Sequence, residues 1–109
     1  MKYFNTTLGL SMLPDGKFYV VTVDADAAKC FFSSNDIQNI ANPTHANSLQ
    51  AIIQKLGVDV RDAKGGRIRL SSGDQCLIAE ISGIPRETRE FSDTEIASAV
   101  FNFRIVEVL

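Results

Sequence analysis

The chain has 109 residues, a formal net charge of −2 and 45% hydrophobic residues. This length and apolar content predict one domain, residues 1–109, with a core that needs no disulfide or metal to hold it. No stretch has the apolar length of a membrane span and no secretion signal opens the chain, so we expect a cytoplasmic protein with no membrane partner. If the source is a virus, the compartment is the host cytoplasm. The negative charge argues against duplex nucleic acid as a partner, and any bound anion must be held by a local cluster of donors.

The first forty residues predict strands separated by a turn-rich loop and one short helix. Aromatic and β-branched residues favour strands over Lys2–Thr7 and Lys17–Val23. Asp24 is placed to cap a helix over Ala25–Phe32. Asp36–Ala41 is a further strand candidate, although its apolar residues do not alternate cleanly.

A second helix is predicted over Thr44–Leu56, with its first residue as the N-cap and Gly57 as its left-handed C-cap. Its apolar residues recur at the spacing of one helical face, and its first turn carries His45, the chain's single histidine, with Asn47 and Ser48. The N-terminus of a helix favours anions, so this turn is a candidate phosphate site. The residues alone leave open the alternative of a polar first turn on a surface helix.

The second half of the chain predicts a hairpin, a charged loop, a helix and a closing strand. The hairpin pairs Arg67–Leu70 with Gln75–Ile81 around a Ser-Ser-Gly-Asp turn. The other elements are an irregular loop at Gly83–Glu90, a helix to about Ala99 opened by the capping box of Ser92 and Glu95, and a strand over Phe101–Val108. The fold class is therefore α/β (α+β), a mixed sheet of about five strands flanked by short helices.

Arginines supply the candidate phosphate ligands. Arg67 and Arg69 are two apart on a predicted strand and so share a face, while Arg86 and Arg89 lie in the charged loop. Arginine binds phosphate through two parallel hydrogen bonds, although each of these residues is also explained as a solvated surface charge. Glu87 is either an ion-pair partner of the loop arginines or a group that orients a nucleophile or the imidazole. A histidine near this cluster suits proton transfer to a phosphate ester.

The two cysteines, Cys30 and Cys76, lie in apolar surroundings and predict buried free thiols. One histidine and two separated cysteines do not form a zinc site, and the chain lacks a P-loop and a dinucleotide fingerprint. The residues by themselves thus predict a mixed domain with a possible phosphate site at one helix N-terminus.

Five motifs in order carry a resemblance to a known family. They are the Asn5-Thr6 pair of the first strand, THANSLQAIIQKLG, GGRIRL, SSGDQCLIAEI and PRETREFSDTEI. In order and spacing they resemble the small viral and bacterial ring nucleases that act as anti-CRISPR proteins against type III systems, with the fold of the crenarchaeal-virus B116 type. The resemblance implies a homodimer that degrades cyclic tetra-adenylate without a metal or other cofactor, the ring lying across the two-fold axis.

The resemblance also implies roles for individual residues. His45 would be the general acid for the leaving 5′-oxygen, and Glu87 would act with it at the phosphate. Ligand and phosphate binding would fall to Asn5, Asn47, Ser48, Arg67, and Arg86 or Arg89. Two other hypotheses remain: a binding protein that sequesters a cyclic nucleotide signal intact, and an interaction module with no small ligand.

Overall fold

The computed structural model describes residues 1–34, 36–60 and 68–109. The described residues form five strands and three α-helices, which confirms the α+β class and the mixed five-stranded sheet. In chain order these are β1 (Lys2–Asn5), β2 (Phe18–Val23), α1 (Ala25–Phe31), β3 (Ile37–Asn39), α2 (Ala46–Leu56), β4 (Gln75–Ser82), α3 (Asp93–Ser98) and β5 (Val100–Val108). None of the helices in these ranges is long and apolar enough to cross a membrane.

The order of the strands across the sheet places β1 near its centre. The order is β2-β5-β4-β1-β3, with β1 parallel to both of its neighbours and β5 antiparallel to both of its own. Because β1, β3 and β4 run the same way, their carboxyl ends meet at one edge of the sheet. Open sheets bind ligands beyond such carboxyl ends, and the polar first turn of α2 follows β3 at this edge.

Alternating side chains of the central strands belong to two hydrophobic clusters, one on each face of the sheet. On one face, Phe4 and Leu77 pack with Ile52 of α2 and with α1. On the other face, Tyr3 and Cys76 pack under residues of the long connections, among them Met12 and Leu70. Burial on both faces holds β1 firmly, so a residue at its carboxyl end is presented from a rigid base.

The structure corrects the start of α2. The helix begins at Ala46, after a 3-10 helix over Pro43–His45. The predicted N-cap, Thr44, does not cap α2, because it lies inside this 3-10 helix, whose N-cap is Asn42. Its backbone N–H and its hydroxyl both donate to the Asn42 side-chain oxygen, at 3.0 and 2.9 Å. Gly57 ends the helix as predicted, with φ of 64° and its N–H on the Ile53 carbonyl.

The predicted hairpin is wrong on its first side. Residues 68–70 are not a strand, and Arg67 lies outside the described residues. Both edges of β4 are already taken by β1 and β5. The segment instead packs over the sheet, where the Leu70 N–H donates to the Met12 carbonyl at 2.8 Å. The turn itself forms, since the Asp74 N–H donates to the Ser71 carbonyl.

The two cysteines, both predicted to be buried, differ in exposure. Cys76 is buried, and burial raises the pKa of its thiol to about 12, but Cys30 is exposed and so corrects the prediction; both thiols are free. β2, which carries an almost unbroken run of apolar residues, is one of the two edge strands of the sheet and leaves Tyr19 57% and Val21 54% exposed. Its sequence reflects β propensity rather than burial.

Candidate functional site at the carboxyl edge of the central strands

His45 contacts Thr6, the residue that follows β1. The strand ends at Asn5, and the next side chain, Thr6, is only 6% exposed. Its hydroxyl oxygen lies 2.9 Å from Nδ1 of His45, which stands 39 positions later in the chain. The chain's single imidazole is thus held against the sheet through one ring nitrogen.

Asn5 fixes the backbone that carries this hydroxyl. Its side-chain oxygen accepts from the Thr6 N–H at 2.8 Å, and its amide nitrogen lies 3.4 Å from the Met12 sulfur. That local hydrogen bond occupies the Thr6 N–H and turns the chain out of the strand, which explains why β1 ends at Asn5 and not at Thr7 as predicted. Asn5 was predicted to bind ligand, and the structure shows it also shaping the turn beneath His45.

We call the first turn of α2 open because it has no side-chain cap of its own, the Asn42 side chain capping the 3-10 helix that precedes it. His45 occupies the N-cap position, makes no side-chain capping bond within the described structure, and the turn carries no acidic residue. Ser48, half-buried, belongs to this turn. Such a helix end retains partial positive charge that an anion can neutralise.

Asn47 joins this turn to the charged loop. Its side-chain nitrogen donates to the Pro85 carbonyl at 3.1 Å. The residue after Pro85 is Arg86, which is exposed and makes no ion pair within the described parts of the chain. The loop is therefore anchored beside α2, and the residue next to the anchor point has no ion-pair partner among the described residues.

Arg89, unlike Arg86, is bound by acidic side chains. Its guanidinium donates to Glu87 at 2.6 Å and to both carboxylate oxygens of Glu95 at 2.9 and 2.6 Å, and it lies over the Phe91 ring. These hydrogen bonds raise the pKa of Arg89, and the bond from Arg89 is the main cause that lowers the pKa of Glu95 to about 2. Between the two loop arginines that the sequence left open, the geometry favours Arg86 as the one free to receive phosphate.

Arg69 makes its ion pair away from this group, and Arg67 lies outside the described residues. Arg69 is exposed and lies 3.9 Å from the carboxylate of Asp15. No group of three or more histidine, cysteine or acidic side chains that could hold a metal occurs in the described ranges. A cavity of about 620 Å³ lies elsewhere, between the end of α1, β3 and the segment after α2, and none of the predicted site residues that the structure describes lines it.

Two contacts of the site were not predicted from the sequence. The Thr6 hydroxyl is a partner of His45, and the Pro85 carbonyl is a partner of Asn47. The Asn5-Thr6 pair was noted in the sequence, but nothing in the sequence indicates a contact between residues 39 positions apart. Both contacts are created by the parallel arrangement of β1, β3 and β4.

The sequence matches no protein-family model and no curated protein. Among solved structures, B116 of Sulfolobus turreted icosahedral virus is similar to this chain, with a TM-score of 0.75 at 16% sequence identity and with 97% of each chain covered. At this identity the similarity concerns the fold alone. The chain therefore has a viral B116-like fold over nearly its whole length.

Proposed function

We propose that this protein is a ring nuclease that cleaves a cyclic oligoadenylate, cyclic tetra-adenylate above all, without a metal, and so counters type III CRISPR or related cyclic-nucleotide immunity. The observation that carries the proposal is the hydrogen-bonded placement of His45 at the open N-terminus of α2. The ordered motifs that resemble the ring nuclease family support the reaction, and the viral B116-like fold is compatible with it.

In the proposed reaction, a ribose 2′-oxygen attacks the adjacent phosphorus. A P–O2′ bond forms, the P–O5′ bond breaks, and a 2′,3′-cyclic phosphate end results. The 2′-hydroxyl proton leaves to water, and the departing 5′-oxygen receives a proton from His45. General acid catalysis of this kind accelerates a reaction by roughly 10²- to 10⁴-fold.

The phosphate would be held by the first turn of α2 and by arginine. Asn47 and Ser48 lie in that turn, and Arg86 follows the loop residue that Asn47 anchors. Bidentate contact with a guanidinium neutralises the charge that builds on the phosphate oxygens. Glu87 would act beside Arg86 on the phosphate, and Arg67 stays a predicted ligand outside the described residues.

The proposal includes a homodimer. Each chain supplies one histidine, whereas a tetra-adenylate ring is compatible with two-fold symmetry and presents equivalent phosphates on opposite sides. Two copies related by a two-fold axis would therefore each meet one scissile phosphate. Light scattering should give a particle of twice the 11.9 kDa chain mass, and a monomer that still cleaves the ring would remove this part of the proposal.

A specific observation favours a second candidate, a protein that binds a cyclic nucleotide and keeps it intact. Glu87, the carboxylate assigned to the reaction, is only 2.6 Å from Arg89. A carboxylate already paired with a cation is less available to act on a nucleophile or an imidazole. If Glu87 stays paired when ligand is bound, the same site would sequester the signal without cleaving it.

One experiment separates the two. The protein is incubated with cyclic tetra-adenylate in EDTA, denatured, and the nucleotides are resolved by chromatography. Linear products with cyclic phosphate ends support the nuclease, whereas quantitative recovery of the intact ring, together with tight binding, supports sequestration. Absence of both binding and cleavage would reject both in favour of an interaction module.

A further inference from the structure

Thr6 holds the only side-chain hydrogen bond that His45 makes within the described structure. Its hydroxyl belongs to a buried residue at the end of a strand with neighbours on both sides, and the Thr6 N–H is held by Asn5. The position of the oxygen is therefore set by the sheet, independently of any ligand.

A threonine hydroxyl can both donate and accept a hydrogen bond. When the imidazole is neutral, the hydroxyl can donate to Nδ1, which leaves the single ring proton on Nε2. When the imidazole is protonated, Nδ1–H can donate to the hydroxyl oxygen, and Nε2 again carries a proton. Only the protonated ring can act as the general acid, and the proton that it gives is the one on Nε2, the nitrogen turned away from Thr6.

We propose that Thr6 is the positioning residue of His45: it selects the Nε2–H tautomer of the neutral ring and, in the protonated ring, leaves Nε2 as the nitrogen that gives its proton to the phosphate ester. The inference rests on the proposed function for its catalytic meaning, but the tautomer is a property of the protein alone. After Nε2 delivers its proton to the 5′-oxygen, Nδ1 keeps its hydrogen, and the Thr6 oxygen accepts from it. The same hydroxyl thus forms a hydrogen bond with Nδ1 both before and after the proton transfer.

The tautomer is measurable directly, because the chain contains one histidine. Nitrogen-15 imidazole spectra of the protein, recorded at a pH where the ring is neutral, should show the Nε2–H form. A neutral ring that carries its proton on Nδ1 would overturn the inference without any variant.

Variants then test the role in turnover. Thr6→Val keeps the shape of the side chain and removes the hydroxyl, so the tautomer preference should weaken and turnover of cyclic tetra-adenylate should fall about tenfold, as expected for one lost hydrogen bond. Thr6→Ser should restore both. Thr7→Val is the matched control, since Thr7 is exposed and, in the described structure, the side-chain hydrogen bond to His45 comes from Thr6 and not from Thr7.

The outcomes separate the two proposals. If the wild type does not cleave but its Nε2–H form is lost in Thr6→Val and regained in Thr6→Ser, the proposed reaction fails and the positioning role stands. If the wild type cleaves and Thr6→Val leaves both tautomer and rate unchanged, the positioning role is wrong and the reaction stands.

Discussion

The N-termini of α2 and α3 solve the same physical problem in opposite ways. α3 is closed by its own side chains: Ser92 accepts from the Glu95 N–H, and the Glu95 carboxylate accepts from the Ser92 N–H in a full capping box. Asp93 adds a further negative charge to its first turn. α2 has neither a side-chain cap within the described structure nor an acidic residue in that turn.

This difference indicates which of the two helix N-termini can bind an anion. At α3 the partial positive charge of the helix end is already neutralised, and the site would repel phosphate. At α2 no acidic side chain of the first turn neutralises this charge, and His45 and Asn47 lie in or beside that turn. The loop arginines follow the same division, because Arg89 is bound to the acidic end of α3, while Arg86 follows the residue anchored to α2 and pairs with no carboxylate in the described ranges.

The largest expected effect comes from removing the imidazole at α2. His45→Ala should lower the cleavage rate of cyclic tetra-adenylate at least about 100-fold, the contribution of one general acid. Binding of the ring should persist, because the helix N-terminus and Arg86 remain. Single-turnover kinetics with excess protein measure this, and a variant that cleaves at the wild-type rate would remove His45 from the reaction.

Substitutions of the two loop arginines should have different effects on ring binding and on stability. Arg86→Ala should weaken ring binding about tenfold or more, because a charged hydrogen-bond partner of phosphate is lost. Arg89→Ala should leave affinity near wild type and lower the denaturation midpoint slightly, since its contacts are ion pairs within the loop and with α3. Calorimetric titration and urea denaturation of both variants test this, and the reverse pattern would exchange the two assignments.

Making α2 resemble α3 should have opposite effects on stability and on binding. Ser48→Asp adds a negative charge to the open turn, which should stabilise the fold by about 0.3–1 kcal/mol. The same charge should weaken binding of the anionic ring several-fold. Ser48→Asn is the neutral control, and a Ser48→Asp protein with unchanged affinity would argue that phosphate does not bind at this helix end.

The smallest effect concerns acid stability at α3. The folded pKa of Glu95 is lowered to about 2, so its contribution to stability is complete above the usual pKa near 4.5 and is lost as pH falls toward 2. Glu95→Gln should be less stable than wild type near neutrality, and the difference should shrink across that range. Thr94→Ala, an uncharged change in the same turn, should keep the pH dependence of the wild type.

Much of the fold is encoded in short-range signals. The capping box of Ser92, the Asp24 cap of α1 and the Gly57 end of α2 were predicted because each depends on residues within one or two turns. The hairpin failed because strand pairing is decided by distant partners, and β4 prefers β1 and β5. Thr44 failed as a cap because Asn42, two residues earlier, is the N-cap of a 3-10 helix that contains Thr44.

The site was predictable only in part for the same reason. His45, Asn47 and Ser48 share one helical turn and could be grouped from the sequence. The contact between Thr6 and His45 depends on β1 and β3 lying parallel, which no local pattern reports. The choice between Arg86 and Arg89 depends on Glu95, whose sequence signal was that of a helix cap and not of an arginine ligand.

The most direct test of the account is to map where cyclic tetra-adenylate binds, using backbone amide spectra of His45→Ala so that the ring stays intact. The largest shifts should fall on the first turn of α2, Ala46–Ser48, and on Arg86, while the first turn of α3 should stay unchanged. Shifts centred on α3 or on the cavity beside β3, or no shifts at all, would contradict the claim that the open end of α2 is the ligand site.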